Sequence, residues 1–283
     1  MDPPLRLVVA LPMFVAAVIA VERPAAAASL ASELNEHRSL REIWQMYSEA
    51  PVLDHWLEYA EHYETHFPRP EGKAPLRMLE IGVQSGGSAR AWRQYYGDRL
   101  TYTGVDINPP CKRSESPNEN IYIEIGSQLN TTFLREVCAR HGPFDMVVDD
   151  GGHSGHMMNV SLGFIFSEGD RCLTQHATYV IEDMHTMTMC ADGYCDRPSQ
   201  VHHIVSDAFY GMHSHWINRR KQQNSLEAPP PAWAAQVRSM ALYDSMAFFM
   251  RGPPIRSLHR IIKGTDRIPY GAGDHQTRSI RRA

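Results

Sequence analysis

Asp149 and Asp150 close an apolar run, PFDMVVDDGGH, and Glu182 and Asp183 close a second, ATYVIEDMHT. Each run has the length and content of a strand covered on both faces. If the two strands are parallel neighbours, their carboxyl ends lie side by side and Asp150, Glu182 and Asp183 converge on one point. Three carboxylates that close repel unless a cation compensates them. Hard oxygen donors with room left for water suit Mg²⁺, with Mn²⁺ and Ca²⁺ as near alternatives. Taken singly, each acid pair also fits the N-cap of a following helix. Gly151 and Gly152 let the backbone turn close beneath a ligand. His153 follows, a side chain easily tuned to move a proton near neutral pH, which makes it the candidate general base. His156, or an acid outside this block, is an alternative base.

A second group of candidates comes earlier. RMLEIG reads as a strand that opens a glycine-rich turn, EIGVQSGGSARAW, with Gly82, Gly86 and Gly87 before a helix from about Ser88 to Tyr96. Strand, glycine turn and helix amino end make a nucleotide-type crevice. The spacing is E-x-G-x-x-x-G, and Glu80 puts a negative charge where a pyrophosphate would be repelled. It favours a ligand with a cationic or hydroxylic part. TYTGVD is a second strand ending on Asp106, placed to accept hydrogen bonds from a ribose diol. IYIEI is a third, followed by Gly126, Ser127 and Gln128 and a helix from about Thr132 to Arg140.

These elements alternate as strands and helices, which predicts an α/β doubly wound, mostly parallel sheet. Before them, residues 39–67 carry apolar residues at helical spacing with Pro51 as a break, so two helices capping the domain are expected, their aromatics used for packing. After Thr186 the pattern loosens. Ser199 to about Asn224 reads as an amphipathic helix carrying His202, His203, His213 and His215, where H-x-H points its two rings to different faces and argues against a metal role, and VRSMALY and SMAFFMR form a hairpin turning at Asp244. The expected division is 1–29 as a leader, 30–75 as a helical cap, 76–263 as the main domain and 264–283 as a disordered tail.

The net charge of −4 and the scattered basic residues exclude a general electrostatic case for nucleic acid. Five cysteines show no metal-ligand spacing, and Cys190 and Cys195 are close enough in a loop to pair in an oxidising compartment. Leu5 to Val21 is a nearly charge-free apolar run followed by an alanine-rich stretch. It reads as a secretory signal, with an uncleaved membrane anchor as the alternative. That predicts a protein of the secretory pathway, in the Golgi or ER lumen or secreted, and opens the sequons at Asn130 and Asn159 to glycosylation.

EIGVQSGGS, YTGVDINPPC, IEIGSQLNTTFL, PFDMVVDDGGH and YVIEDMHT, in this order and spacing, resemble the metal-dependent class I S-adenosylmethionine methyltransferases that O-methylate sugars, the mycinamicin VI and macrocin type. The resemblance runs from about Arg77 to Arg251. It implies a Rossmann-like, seven-stranded sheet closed by an antiparallel hairpin. It implies that Glu80 and Gly82 line the S-adenosylmethionine pocket, with Asp106 on the ribose and Ser127 and Gln128 near the adenine; Gly86 and Asp149 are expected in the same pocket. It also implies that Asp150, Glu182 and Asp183 bind Mg²⁺ and that His153 is the base. Gly152 departs from the family's usual serine, and little is recognisable after Thr186. The acceptor is expected to be a sugar or glycan hydroxyl, with a catechol or other small-molecule diol as alternative. A non-catalytic glycan-binding protein is the competitor of another class, and the intact acids count against it.

Overall fold

The computed structural model describes residues 38–67, 69, 72, 74–189, 199–214 and 230–252. Seven strands form one sheet: β1 (Leu76–Ile81), β2 (Leu100–Asp106), β3 (Ile121–Ile125), β4 (Phe144–Asp149), β5 (Leu173–Ile181), β6 (Val237–Tyr243) and β7 (Met246–Arg251). Their order is β3-β2-β1-β4-β5-β7-β6. The first five pair in parallel, and β7 joins antiparallel to β5 and to β6. This is the doubly wound sheet with a closing hairpin that the sequence predicts. Asp244 and Ser245 make the two-residue turn, Ser245 in the left-handed region at φ 64°.

β4 and β5 are neighbours because the chain returns through one helix after each strand, and parallel pairing needs such a crossover. Asp149 pairs with Ile181 in register, so the residues after both strands emerge together. Order reverses between β1 and β4, where the chain switches from winding one way to winding the other. A crevice opens at that switch point, beyond the carboxyl ends of the strands.

Among the described residues six helices cover the sheet: α1 (Leu40–Met46), α2 (Tyr59–His66), α3 (Gly87–Tyr96), α4 (Thr131–His141), α5 (Gly155–Glu168) and α6 (Ser199–Met212). On one face Leu40, Ile43, Tyr63 and Phe67 from the cap pack with Trp92 of α3 and with Met78, Tyr102 and Phe248 of the sheet. On the other, Leu162, Ile165 and Phe166 of α5 pack with Leu79, Val147 and Tyr179. The cap therefore shares one core with the sheet. Local caps follow their chemistry: Ser39 and Glu42 form a reciprocal capping box on α1, and Asn130, the first sequon residue, accepts from the N–H groups of Thr132 and Phe133 to start α4.

Several expectations end differently. The disulfide that the structure contains joins Cys138 at the end of α4 to Cys172 before β5; neither was singled out in the sequence, because 34 residues separate them. The expected pair Cys190 and Cys195 lies outside the described residues, as do the apolar leader, the end of the helix expected to Asn224, and the polar tail. Among the described residues no helix is long and apolar enough to cross a membrane.

Candidate active site

A cavity of about 630 Å³ opens over the carboxyl ends of β1, β2, β4 and β5. One end is lined by the glycine turn and Asp106, the other by Asp150, His153, Glu182 and Asp183. The connection between α1 and α2 supplies Val52, Asp54, His55 and Trp56 to the same space.

At the first end, Gly82 sits at φ +98°, and a Cβ there would stand 2.1 Å from the carbonyl oxygen of Asp150. Only glycine lets β1 and β4 end this close. Asp106 accepts from the N–H groups of Val83 and Gln84 through Oδ2, at 2.9 and 3.0 Å, and from Asn108 through Oδ1 at 2.8 Å. Its carboxylate thus holds the glycine turn in shape while facing the cavity. Glu80 is buried and accepts from Ser88 and from the Tyr102 hydroxyl, the latter at 2.6 Å. Burial pushes its pKa up to about 7, against those two hydrogen bonds.

Four residues expected in the cofactor pocket are not among those that line this cavity. Asp149 is 2 % exposed and accepts from Ser161, Tyr179 and Gln128, so it braces β4 to α5 and β5 from within. Burial raises it to about 6 in spite of those bonds. Gln128 is buried as well, donating to Asp149 and Ser161 and accepting from the Gly152 N–H at 2.6 Å. Ser127 accepts from the Leu129 N–H, and Gly86 packs against Ser114, leaving Gly87 and Ser88 to line the cavity. Alternate residues of a strand point to opposite faces, which separates Asp149 from Asp150. At Gly152 a Cβ would meet the Met157 sulfur at 2.2 Å, the end of a flexible side chain that can move aside.

At the second end the predicted acids gather around Asp150. His55, Asp150 and Glu182 offer donor atoms within 4.8 Å of one another, and so do Asp150, His153 and Asp183. Asp150 belongs to both groups, Glu182 to one and Asp183 to the other. Burial, then Glu182, Glu80 and Asp183, hold Asp150 well above the carboxylate range. Burial raises Glu182 to about 8, opposed by the Tyr63 hydroxyl and reinforced by Asp183 and Glu80. Oxygen donors at this density, costly to ionise alone, fit a divalent cation. Burial lowers the pKa of both histidines, His153 against the pull of Asp183 and His55 to about 4.

The cap does more than pack. Tyr63 donates to Glu182, and Tyr59 donates to Asp183 Oδ1 at 2.7 Å. Trp56, 59 % exposed, lines the cavity. Nothing in the sequence marks His55, and the helical spacing of these three aromatics reads as packing. Their spacing suits a helical face equally well, and they stand some hundred residues from the acids they meet. Asp183 itself adopts the left-handed region at φ 54°, a conformation that aspartate tolerates better than most residues. The Thr186 hydroxyl donates to the carbonyl oxygens of His153 and Asp183 and ties the two acidic loops together.

No family model matches the chain. It is 34 % identical over 139 residues to demethylmacrocin O-methyltransferase of Streptomyces fradiae, covering 47 % of this chain and 32 % of that protein. The same figures hold for mycinamicin VI 2''-O-methyltransferase of Micromonospora griseorubida. A tetracenomycin-C rhamnosyl 3'-O-methyltransferase of Streptomyces olivaceus is 35 % identical over 141 residues, 47 % and 33 % of the two chains. Among solved structures, the MycE methyltransferase of the mycinamycin biosynthetic pathway, in complex with Mg, SAH and mycinamycin VI, superposes with a TM-score of 0.62 at 25 % identity, covering 77 % of this chain and 55 % of that one. The fold is thus the Rossmann-like one of class I methyltransferases, and the resemblance to the macrocin and mycinamicin type is upheld. The chain spans about a third of the length of the curated relatives it matches. The expected secretory-pathway location is corrected: these relatives are bacterial biosynthetic methyltransferases. The apolar leader was the whole basis for that location, and the use of the sequons depended on it.

Proposed function

We propose that this chain is an S-adenosylmethionine-dependent methyltransferase that O-methylates a sugar hydroxyl with the help of a divalent cation, Mg²⁺ in the first instance. The observation that carries the proposal is the single cavity with Asp106 and the glycine turn at one end and the acidic group at the other. The sugar O-methyltransferases among its relatives support the same reading.

In this reading Asp106 receives the ribose diol, and Glu80 and Gly82 border the rest of the cofactor. Ser127, Gln128, Asp149 and Gly86 act from behind by holding the loops in place. Asp150, Glu182 and Asp183 hold the metal, and Trp56 offers an apolar face to the sugar. S-adenosylmethionine supplies a methyl group already activated on a sulfonium, and a divalent ion, when bound, offsets the buried acids and makes an acceptor hydroxyl more acidic. His153 takes the hydroxyl proton at a ring nitrogen while the sulfur–carbon bond breaks and the oxygen–carbon bond forms. The remaining task of the protein is alignment of the two reactants, which two rigid loops on one sheet edge serve.

The test is transfer of labelled methyl from S-adenosylmethionine to a panel of glycosides, free sugars and catechols, before and after chelation. Label on a glycoside hydroxyl, lost with EDTA and restored by Mg²⁺, is expected. Undiminished transfer after exhaustive chelation would remove the metal, and transfer to catechols alone would change the acceptor class.

A further inference from the structure

His55 reaches the cavity from the connection between α1 and α2, and the reaction set out above gives it no task. Its side chain is 4 % exposed, and its ring stacks on Trp44 with centroids 4.6 Å apart and planes within 11°. Nδ1 stands 3.9 Å from Glu182 Oε2, too far for a hydrogen bond. Nε2 has no hydrogen-bond partner. Buried polar atoms normally have one, and Trp44, Thr103 and Glu168, which carry the other unpartnered atoms among the described residues, do not line this cavity. A phenyl ring would pack on Trp44 as well, so stacking alone does not account for an imidazole here.

Geometry on the Nδ1 side accounts for an imidazole here, while Nε2 stays outside the donor group. Two donors on one ion, each at about 2.1 Å, lie roughly 3.0 Å apart when adjacent and 4.2 Å when opposite. The 3.9 Å between His55 and Glu182 falls in that span, and His55 joins Asp150 and Glu182 in one group of donors. We propose that His55 is a nitrogen ligand to the divalent cation held by Asp150 and Glu182, making the site a mixed nitrogen–oxygen one. The proposal rests on the metal-assisted reading above and sharpens it. Imidazole favours the later first-row ions, whereas Mg²⁺ favours oxygen alone, so this site binds Mn²⁺ more tightly than Mg²⁺.

Pulsed EPR of the Mn²⁺-loaded protein reads this directly, because a coordinated imidazole gives ¹⁴N coupling to the electron spin. His153, in the neighbouring donor group, is the competing nitrogen. Coupling is expected in the wild type and in His153→Gln, and is expected to vanish in His55→Phe, which keeps the stack on Trp44. Mn²⁺ affinity by titration should fall about 10–100-fold in His55→Phe, with a smaller change for Mg²⁺. If His55→Phe does not fold, as judged by circular dichroism and S-adenosylhomocysteine binding, His55→Gln gives the same comparison. Mn²⁺ bound without ¹⁴N coupling, or coupling that persists without His55, overturns the ligand and leaves the metal-assisted reading standing. Failure of the wild type to bind either ion overturns both.

Discussion

At the scale of single residues, chemistry is divided between neighbours that the sequence presents as equals. Asp149 and Asp150 are adjacent carboxylates, yet one is bonded three times inside the fold and the other faces the cavity. The same holds for His153 and His156: the first lines the cavity with its pKa lowered by burial, and the second lies exposed on the first turn of α5. His153→Gln is therefore expected to lower kcat by about 10²–10⁴-fold with S-adenosylhomocysteine affinity nearly unchanged. Stopped assays beside calorimetry would check this, and a variant with near-normal kcat would take His153 out of the mechanism.

At the scale of elements, α2 acts as an outer support for the acids. Its tyrosines donate to Glu182 and Asp183, while His66 Nε2 lies 2.9 Å from the Tyr243 hydroxyl on the closing hairpin. The Ser245 carbonyl at that hairpin's turn accepts from the Met184 N–H at 3.0 Å, next to Asp183. Cap and hairpin thus grip the Glu182–Asp183 loop from two sides. Tyr63→Phe removes a hydroxyl donor from a buried carboxylate and keeps the ring that packs between Trp92 and Phe248. Metal affinity should drop about 10–100-fold, with melting temperature little changed in the metal-free protein. Equal metal affinity in the two proteins would make Tyr63 a packing residue only.

At the scale of the whole molecule, the buried acids tie stability to pH. Glu182 at about 8, Glu80 at about 7 and Asp149 at about 6, with Asp150 also raised, bind protons more tightly folded than unfolded. Below the unfolded carboxylate range both states are protonated and nothing is lost. Between about pH 4.5 and 8 the folded state binds more protons, so stability falls as pH rises. A divalent ion binds the ionised acids, so its stabilisation grows over the same interval. Melting in EDTA should therefore occur several degrees lower at pH 8 than at pH 5, given about 2–4 °C per kcal/mol for a domain of this size. Mn²⁺ or Mg²⁺ should raise it much more at pH 8. A flat metal-free profile, or an equal metal shift at both values, would show that these acids do not carry the linkage.

Strand, turn and helix in the main domain were legible in the sequence because each is a local pattern. RMLEIG, TYTGVD, IYIEI and PFDMVVDD are apolar runs closed by glycine or acid, and period and punctuation suffice to find them. That Asp150 would lie near Glu182 and Asp183 was legible as well, since parallel neighbours must present the same end; the structure groups it with each of them separately. Sequence alone could not divide Asp149 from Asp150 by role, because that depends on which face α5 covers and what Tyr179 and Gln128 reach. Nor could it find His55, Tyr59 and Tyr63 at the site. Their meeting with the acids is made by packing α1 and α2 onto the sheet face that carries Trp92 and Phe248. The Cys138–Cys172 bridge has the same origin: β4 brings the start of β5 back beside the end of α4, and only the folded chain brings those sulfurs together.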